Sequence, residues 1–128
     1  MRALLDTHVL LWWFTDDARL SAAARATIAD EANEIFVSAA SAWEIATKAR
    51  LGKLESVPEA AVRFVELVDA DGFAHLPMTH LHALRAGAYA HPHRDPFDRM
   101  LAAQSEIESL VLVTRDPAFA SFDTRTLW

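Results

Sequence analysis

Four short apolar runs, each too short for a helix and each set among long helix-forming stretches, constrain this chain more than any other feature. They are residues 2–5, residues 34–38 around Ile35-Phe36-Val37, residues 73–77 and residues 110–113. Runs that are apolar on both faces read as strands buried on both sides, and such strands belong to parallel sheets covered by helices. Between them, a helical stretch runs from Thr7 to Phe14, and Ser21 N-caps an Ala-rich helix through about Ala32. Another runs from about Ala40 to Leu51, with Gly52 as its stop. Pro58 suits the first turn of a helix reaching about Ala70, with Gly72 after it. Thr79 caps a helix to about Ala90, a polar loop covers 91–95, and Asp95-Pro96 opens a helix through about Glu108. A short edge strand is expected near Thr126-Leu127. The order β-α-α-β-α-α-β-α-α-β predicts an α/β fold of three layers, α/β/α. Its sheet is mostly parallel, with four to five strands, in one domain spanning 1–128.

That topology gathers acids. In a parallel sheet all strand carboxyl ends share one edge, and crossover helices begin on that edge. Asp6 ends the first strand, and Glu44 lies one turn into the helix after the second. Asp98 sits in the first turn of the helix before the fourth strand, and Asp116 follows that strand. Each acid alone has a plainer reading as helix chemistry. Asp6 and Asp116 suit N-caps, the latter with Pro117 at the first helical position. Ser41 to Glu44 has the spacing of a capping box, and Asp95 caps a helix with Asp98 at its third position. Four carboxylates on one rim are a different matter. They repel one another and hold raised pKa values unless a cation joins them. Mg²⁺ or Mn²⁺ prefers oxygen ligands, and an all-carboxylate site suits metal-assisted phosphodiester hydrolysis.

Composition narrows the classes. No cysteine is present, which removes disulfides, thiolate zinc sites and cysteine nucleophiles and fits a reducing, cytoplasmic setting. No secretory signal is visible, and no segment reaches the roughly 18 uncharged apolar residues of a membrane span. The net charge of -6 points away from nucleic acid unless the acids are gathered around a metal and the cations form a rim. No Gly-rich phosphate loop follows the first strand, where Asp6-Thr7-His8 stands instead, which disfavours nucleotide-binding and receiver-type domains.

The segments LLDTHVLLWWF, SAASAWEIATKARLGKL, HRDPFDRMLAAQS and LVLVTRDPAFASFDTRTLW occur in this order and are spread over essentially the whole length of the chain. In them the chain resembles PIN-domain ribonucleases, and among these the VapC-type toxins of bacterial toxin–antitoxin pairs. The resemblance carries the first acid of the family's site onto Asp6, the second onto Glu44 and the third, in DPFDR, onto Asp98. The fourth acidic or amide position falls on Asp116, with Asp123 nearby in sequence. Thr114 matches the supporting hydroxyl residue, and Asp95 looks like the helix cap beside the site. The resemblance further implies Mg²⁺ or Mn²⁺ and endonucleolytic cleavage of tRNA, rRNA or mRNA that inhibits translation. It also implies a VapB-type antitoxin as partner and a homodimer. The alternatives are a non-toxin PIN nuclease acting in RNA processing or on DNA, and a catalytically silent interaction domain. The presence of all four acids weighs against the latter.

Arg94, Arg99 and Arg115 flank the acids and are candidate contacts for RNA phosphates or for the antitoxin; Lys48, Arg50 and Lys53 are weaker ones. Their plainer reading is a solvated helix face. Of the adjacent Trp12 and Trp13, one packs in the core and the other is free to contact RNA or antitoxin, with Trp12 the candidate. Trp43 reads as core. His91-Pro92-His93-Arg94-Asp95 has the form of a binuclear zinc motif, but the other histidines form no matching motif, so it reads as a surface loop entering a capped helix.

Overall fold

The computed structural model describes residues 1–54 and 59–128. Five strands lie in one sheet: β1 (Arg2–Leu5), β2 (Glu34–Ser38), β3 (Ala74–Leu76), β4 (Val111–Val113) and β5 (Thr126–Leu127). Their spatial order is β3-β2-β1-β4-β5, and every pairing is parallel. Seven α-helices flank the sheet among the described residues: α1 (Thr7–Phe14), α2 (Ala22–Ala29), α3 (Ala39–Arg50), α4 (Glu59–Val62), α5 (Phe64–Ala70), α6 (His80–Ala88) and α7 (Pro96–Glu108). A 3-10 helix covers Pro117–Ser121.

The side-chain alternation of β1 sorts the layers. Ala3 and Leu5 point to one face, where Val9, Leu10 and Trp12 of α1, Ala24 and Ile28 of α2, Ile45 of α3 and Val68 of α5 close over them. Leu4 points to the other, against Leu112, Leu101 and Ala102 of α7, and Phe119 and Phe122. Central β1 is short and apolar because both of its faces are covered, and Ala3, Leu4 and Leu5 are fully buried. No helix among the described residues is long and apolar enough to cross a membrane.

Three expected boundaries shift. Helix α2 stops at Ala29 rather than Ala32, because Asp30 leaves helical geometry and its carboxylate accepts the Ala32 N–H. The single helix expected up to Ala70 is divided, with Arg63 standing between α4 and α5; Pro58 lies outside the described residues. Helix α6 ends at Ala88, two residues early. Gly52 and Gly72 both adopt positive φ (69° and 70°), the left-handed conformation that a glycine stop supplies after a helix.

Candidate active site

The carboxyl ends of β1, β2 and β4 meet the first turns of α1, α3 and α7 at one edge of the sheet. Asp6 leaves β1 with its backbone N–H donating to Val113 O at 3.0 Å, so the ladder itself fixes its Cα. It occupies the N-cap position of α1, yet its side chain caps nothing. Instead the Thr114 hydroxyl donates to Asp6 Oδ2 at 2.7 Å. The cap explanation for Asp6 therefore fails: a carboxylate only 5 % exposed is oriented by a hydroxyl from the end of the neighbouring strand and by the adjoining Thr7 N–H. Thr114 Oγ1 also accepts the Asp116 N–H at 3.0 Å, so one hydroxyl orders both sides of the β4 exit.

Glu44 is 4 % exposed and points inward from α3. The expected capping box is absent. Ser38 caps this helix, accepting the Ala40 N–H at 2.9 Å, while Ser41 shares a buried 2.8 Å hydrogen bond with the Thr7 hydroxyl. That bond locks the starts of α1 and α3 together. Glu44 is left free for Lys48, one turn on, whose Nζ lies 2.5 Å from Glu44 Oε2.

Asp98 follows a cap that behaves as expected. Asp95 Oδ1 accepts the Phe97 and Asp98 N–H groups at 2.9 and 3.3 Å. With the amides satisfied, the Asp98 side chain turns to His93, whose Nε2 is 2.9 Å from Oδ2. The loop carrying His93 is tied down by Arg99. Its guanidinium donates to the carbonyls of Ala86, Tyr89, His91 and His93 at 2.7–2.9 Å. The expected phosphate contact by Arg99 is corrected on that ground: its donors are committed to the backbone.

Asp116 differs from the other three. Its carboxylate is exposed and caps the 3-10 helix, accepting the Ala118 N–H at 2.9 Å with Pro117 at the first position. It nevertheless lines the same cavity as Asp6, one of about 370 Å³ whose walls also include His8, Trp12 and Arg115.

The charges show which acids sense one another. Burial pushes the Asp6 carboxyl above its ordinary range and the Glu44 charge adds to that, while the Thr114 hydroxyl and nearby His8 work against it. Asp98 is pushed up to about 6, first by burial and then by the charges of Asp95, Asp6 and Glu44, against the pull of His93. Asp6, Glu44 and Asp98 thus form one electrostatic unit. Among the described residues, no three His, Asp or Glu side chains are drawn into a metal cage. Lys48 and His93 satisfy two of the acids separately. The donor set itself fits a hard divalent cation: it consists of oxygens, two of its acids are nearly fully buried, and its charges repel one another in the absence of a cation.

Two tryptophan expectations reverse. Trp12 is 8 % exposed, with the guanidiniums of Arg115 and Arg19 lying 4.6 and 5.1 Å from its ring and Trp128 against it edge-on, so it offers no free face to a base. Trp43 is 53 % exposed, packed only edge-on against Phe97 at 4.8 Å. Helix α3 buries Ala40, Ser41, Glu44 and Ile45, and position 43 falls off that stripe. Arg94 is exposed. The sequence reading missed Lys48 as the partner of Glu44, though their i,i+4 spacing signals it, and missed His93, which it read as part of a plain surface loop.

The family model for the PIN domain matches residues 3–124. No curated protein matches the chain. Among solved structures the fold resembles the DNA-bound VapBC of Salmonella typhimurium, at TM-score 0.71 and 20 % identity over 99 % of this chain and 97 % of that one. It also resembles VapBC2 of Rickettsia felis bound to a promoter DNA fragment, at TM-score 0.73 and 13 % identity over 99 % and 98 %. VapBC-1 of nontypeable Haemophilus influenzae gives TM-score 0.67 and 18 % identity over 99 % and 97 %.

Proposed function

Because the chain belongs to the PIN-domain family, we propose that it is the toxin of a toxin–antitoxin pair, a Mg²⁺- or Mn²⁺-dependent endoribonuclease that blocks translation by hydrolysing RNA. The observation that carries the reading is Asp6. It is a buried carboxylate with a raised pKa, excused from capping its helix, anchored by Thr114 and coupled to Glu44 and Asp98. Acids kept in that state at a sheet's carboxyl edge oppose stability, which suits a catalytic role better than a structural one. The likeness to VapBC structures supports the toxin assignment and an antitoxin partner.

Asp6, Glu44 and Asp98 would hold the ion, with Asp116 at the cavity mouth. A divalent cation there supplies Lewis-acid stabilisation of phosphoryl charge and lowers the pKa of water. The chain's own residues do the rest. Thr114 orients Asp6, Lys48 and His93 hold Glu44 and Asp98 in place, and Arg99 fixes the loop that carries His93.

The test is cleavage of total RNA and of single-stranded DNA by the purified chain, with Mg²⁺, Mn²⁺ or chelator, beside Asp6→Asn and Asp98→Asn. RNA cleavage that needs the metal and is lost in both variants is expected. Retained activity in both variants overturns the site, and cleavage of DNA alone overturns the substrate. Induction in cells should arrest growth, and co-expression of the neighbouring gene product should relieve it.

A further inference from the structure

The cavity beside Asp6 does not end there. A second space, of about 320 Å³, shares His8, Trp12 and Arg19 with it and continues to Lys48 and Lys53 at the end of α3. The two form one groove running from Arg115, across Trp12, to Lys53. Four of the chain's twelve Lys and Arg residues line it, in a protein whose net charge is -6. That is a concentration of positive charge on an otherwise acidic molecule. Asp6 and Asp116 are the acids of its wall.

The cations are positioned in advance. The guanidiniums of Arg115 and Arg19 both stack on Trp12. Asp17 fixes Arg19 through two hydrogen bonds of 3.1 and 2.8 Å. No carboxylate among the described residues hydrogen-bonds or ion-pairs with the Arg115 guanidinium, which lies over the indole face within electrostatic reach of Asp17. Lys53 is exposed at the far end.

We propose that the RNA strand runs along this groove, with phosphates beside the scissile one held by Arg115 at one end and by Lys53 at the other. The proposal rests on the nuclease reading above and adds the path of the substrate. A strand being cut at the acid cluster has flanking phosphates that must lie in an adjoining groove, and this one opens directly onto Asp6. On the α7 side, Arg99 is spent on backbone carbonyls, which leaves Arg94 as the exposed arginine there.

The test is fluorescence anisotropy of a labelled, unstructured 12-nucleotide RNA with the full chain in chelator, titrated at several salt concentrations. Each phosphate contact on a single strand contributes about 0.7 to the slope of log K against log salt. Arg115→Ala and Lys53→Ala should each flatten the slope by about 0.7 and the double variant by about 1.4. Each single variant should weaken low-salt binding by roughly tenfold. Arg115→Lys should keep the slope. Arg85→Ala, on the far face and paired with Glu106, should change nothing. Lys53 is exposed, so its variant reports on the groove even where Arg115→Ala disturbs packing on Trp12. Wild-type slopes in both single variants, or an equal change in Arg85→Ala, overturn the proposal. So does loss of binding to a glutamate-rich peptide with the RNA slope intact, which would assign the groove to an acidic protein segment. A wild-type chain that cleaves RNA while the variants keep its slope sinks the track alone; one that neither binds nor cleaves RNA sinks the nuclease reading as well.

Discussion

Replacing Asp98 by Asn should stabilise the metal-free protein while destroying its activity. Asp98 carries a carboxyl whose pKa rises from 3.8 to about 6 on folding. A raised folded-state pKa means that the native state holds the proton more tightly than the unfolded chain. The stability this confers is complete below about pH 4. It is lost as pH rises toward 6 and stays lost above that. A shift of that size corresponds to about 3 kcal/mol at neutral pH. Asn resembles the neutral carboxyl in shape and keeps an acceptor for His93, so Asp98→Asn should recover most of the loss. For a chain of this length that is a melting temperature higher by about 5–10 °C at pH 7. The advantage should shrink to nothing near pH 4. The assay is thermal unfolding by circular dichroism in chelator from pH 4 to 8, for both proteins. Adding Mn²⁺ at pH 7 should then raise the wild-type melting temperature and leave the variant's nearly unchanged, because a ligand stabilises only the state that binds it. Parallel wild-type and variant curves across the pH range would refute the reasoning, since they would mean that Asp98 titrates alike in both states.

Three further outcomes are expected. Thr114→Val removes the hydroxyl that donates to Asp6 and accepts from Asp116; it should cost about 1–3 kcal/mol in urea unfolding and cut the cleavage rate more than RNA affinity. Arg99→Ala strips four carbonyls of their donor and should destabilise the fold by about 2–4 kcal/mol, with amide exchange rising first in residues 89–95 and partial rescue by Arg99→Lys. Lys48→Ala leaves the buried Glu44 carboxylate without its cation, so the melting temperature in chelator should fall while the stabilisation gained on adding Mn²⁺ grows, both read by calorimetry.

The sheet was legible because its signal is local. Apolar runs of three to five residues, punctuated by caps and by Gly52 and Gly72, place strands and helices directly. The acids were legible as positions, since topology alone carries Asp6, Glu44 and Asp98 to one edge. Their states were not. Whether Asp6 caps α1 depends on Thr114, 108 residues away, and no local pattern announces that hydroxyl. Arg99 looked like a phosphate ligand because sequence gives its charge and not the four carbonyls that the loop at 89–95 turns toward it. Trp12 and Trp43 exchanged roles for a similar reason. Hydrophobicity is common to both, but exposure depends on which stripe of each helix meets the sheet. In α3 that stripe is set by buried Glu44 and Ile45, so a correct reading of Glu44 as inward-facing already implied an outward-facing Trp43.

The three coupled acids are unequal in a way that bears on how a cation would settle among them. Glu44 and Asp98 each have a nitrogen partner, Lys48 and His93, and both partners are themselves partly exposed. Asp6 has only the neutral Thr114 hydroxyl for a side-chain partner, and it is nearly fully buried. A divalent ion held here would meet at Asp6 a carboxylate that has no ion-pair partner of its own. At Glu44 and Asp98 it would share the carboxylate with a side chain already in place. Lys48 pairs with Glu44 and also lines the groove that leads from Lys53 toward Arg115. A net acidic chain could on this arrangement serve a polyanion: an ion would compensate its central acids, and four of its twelve Lys and Arg residues line the groove beside them.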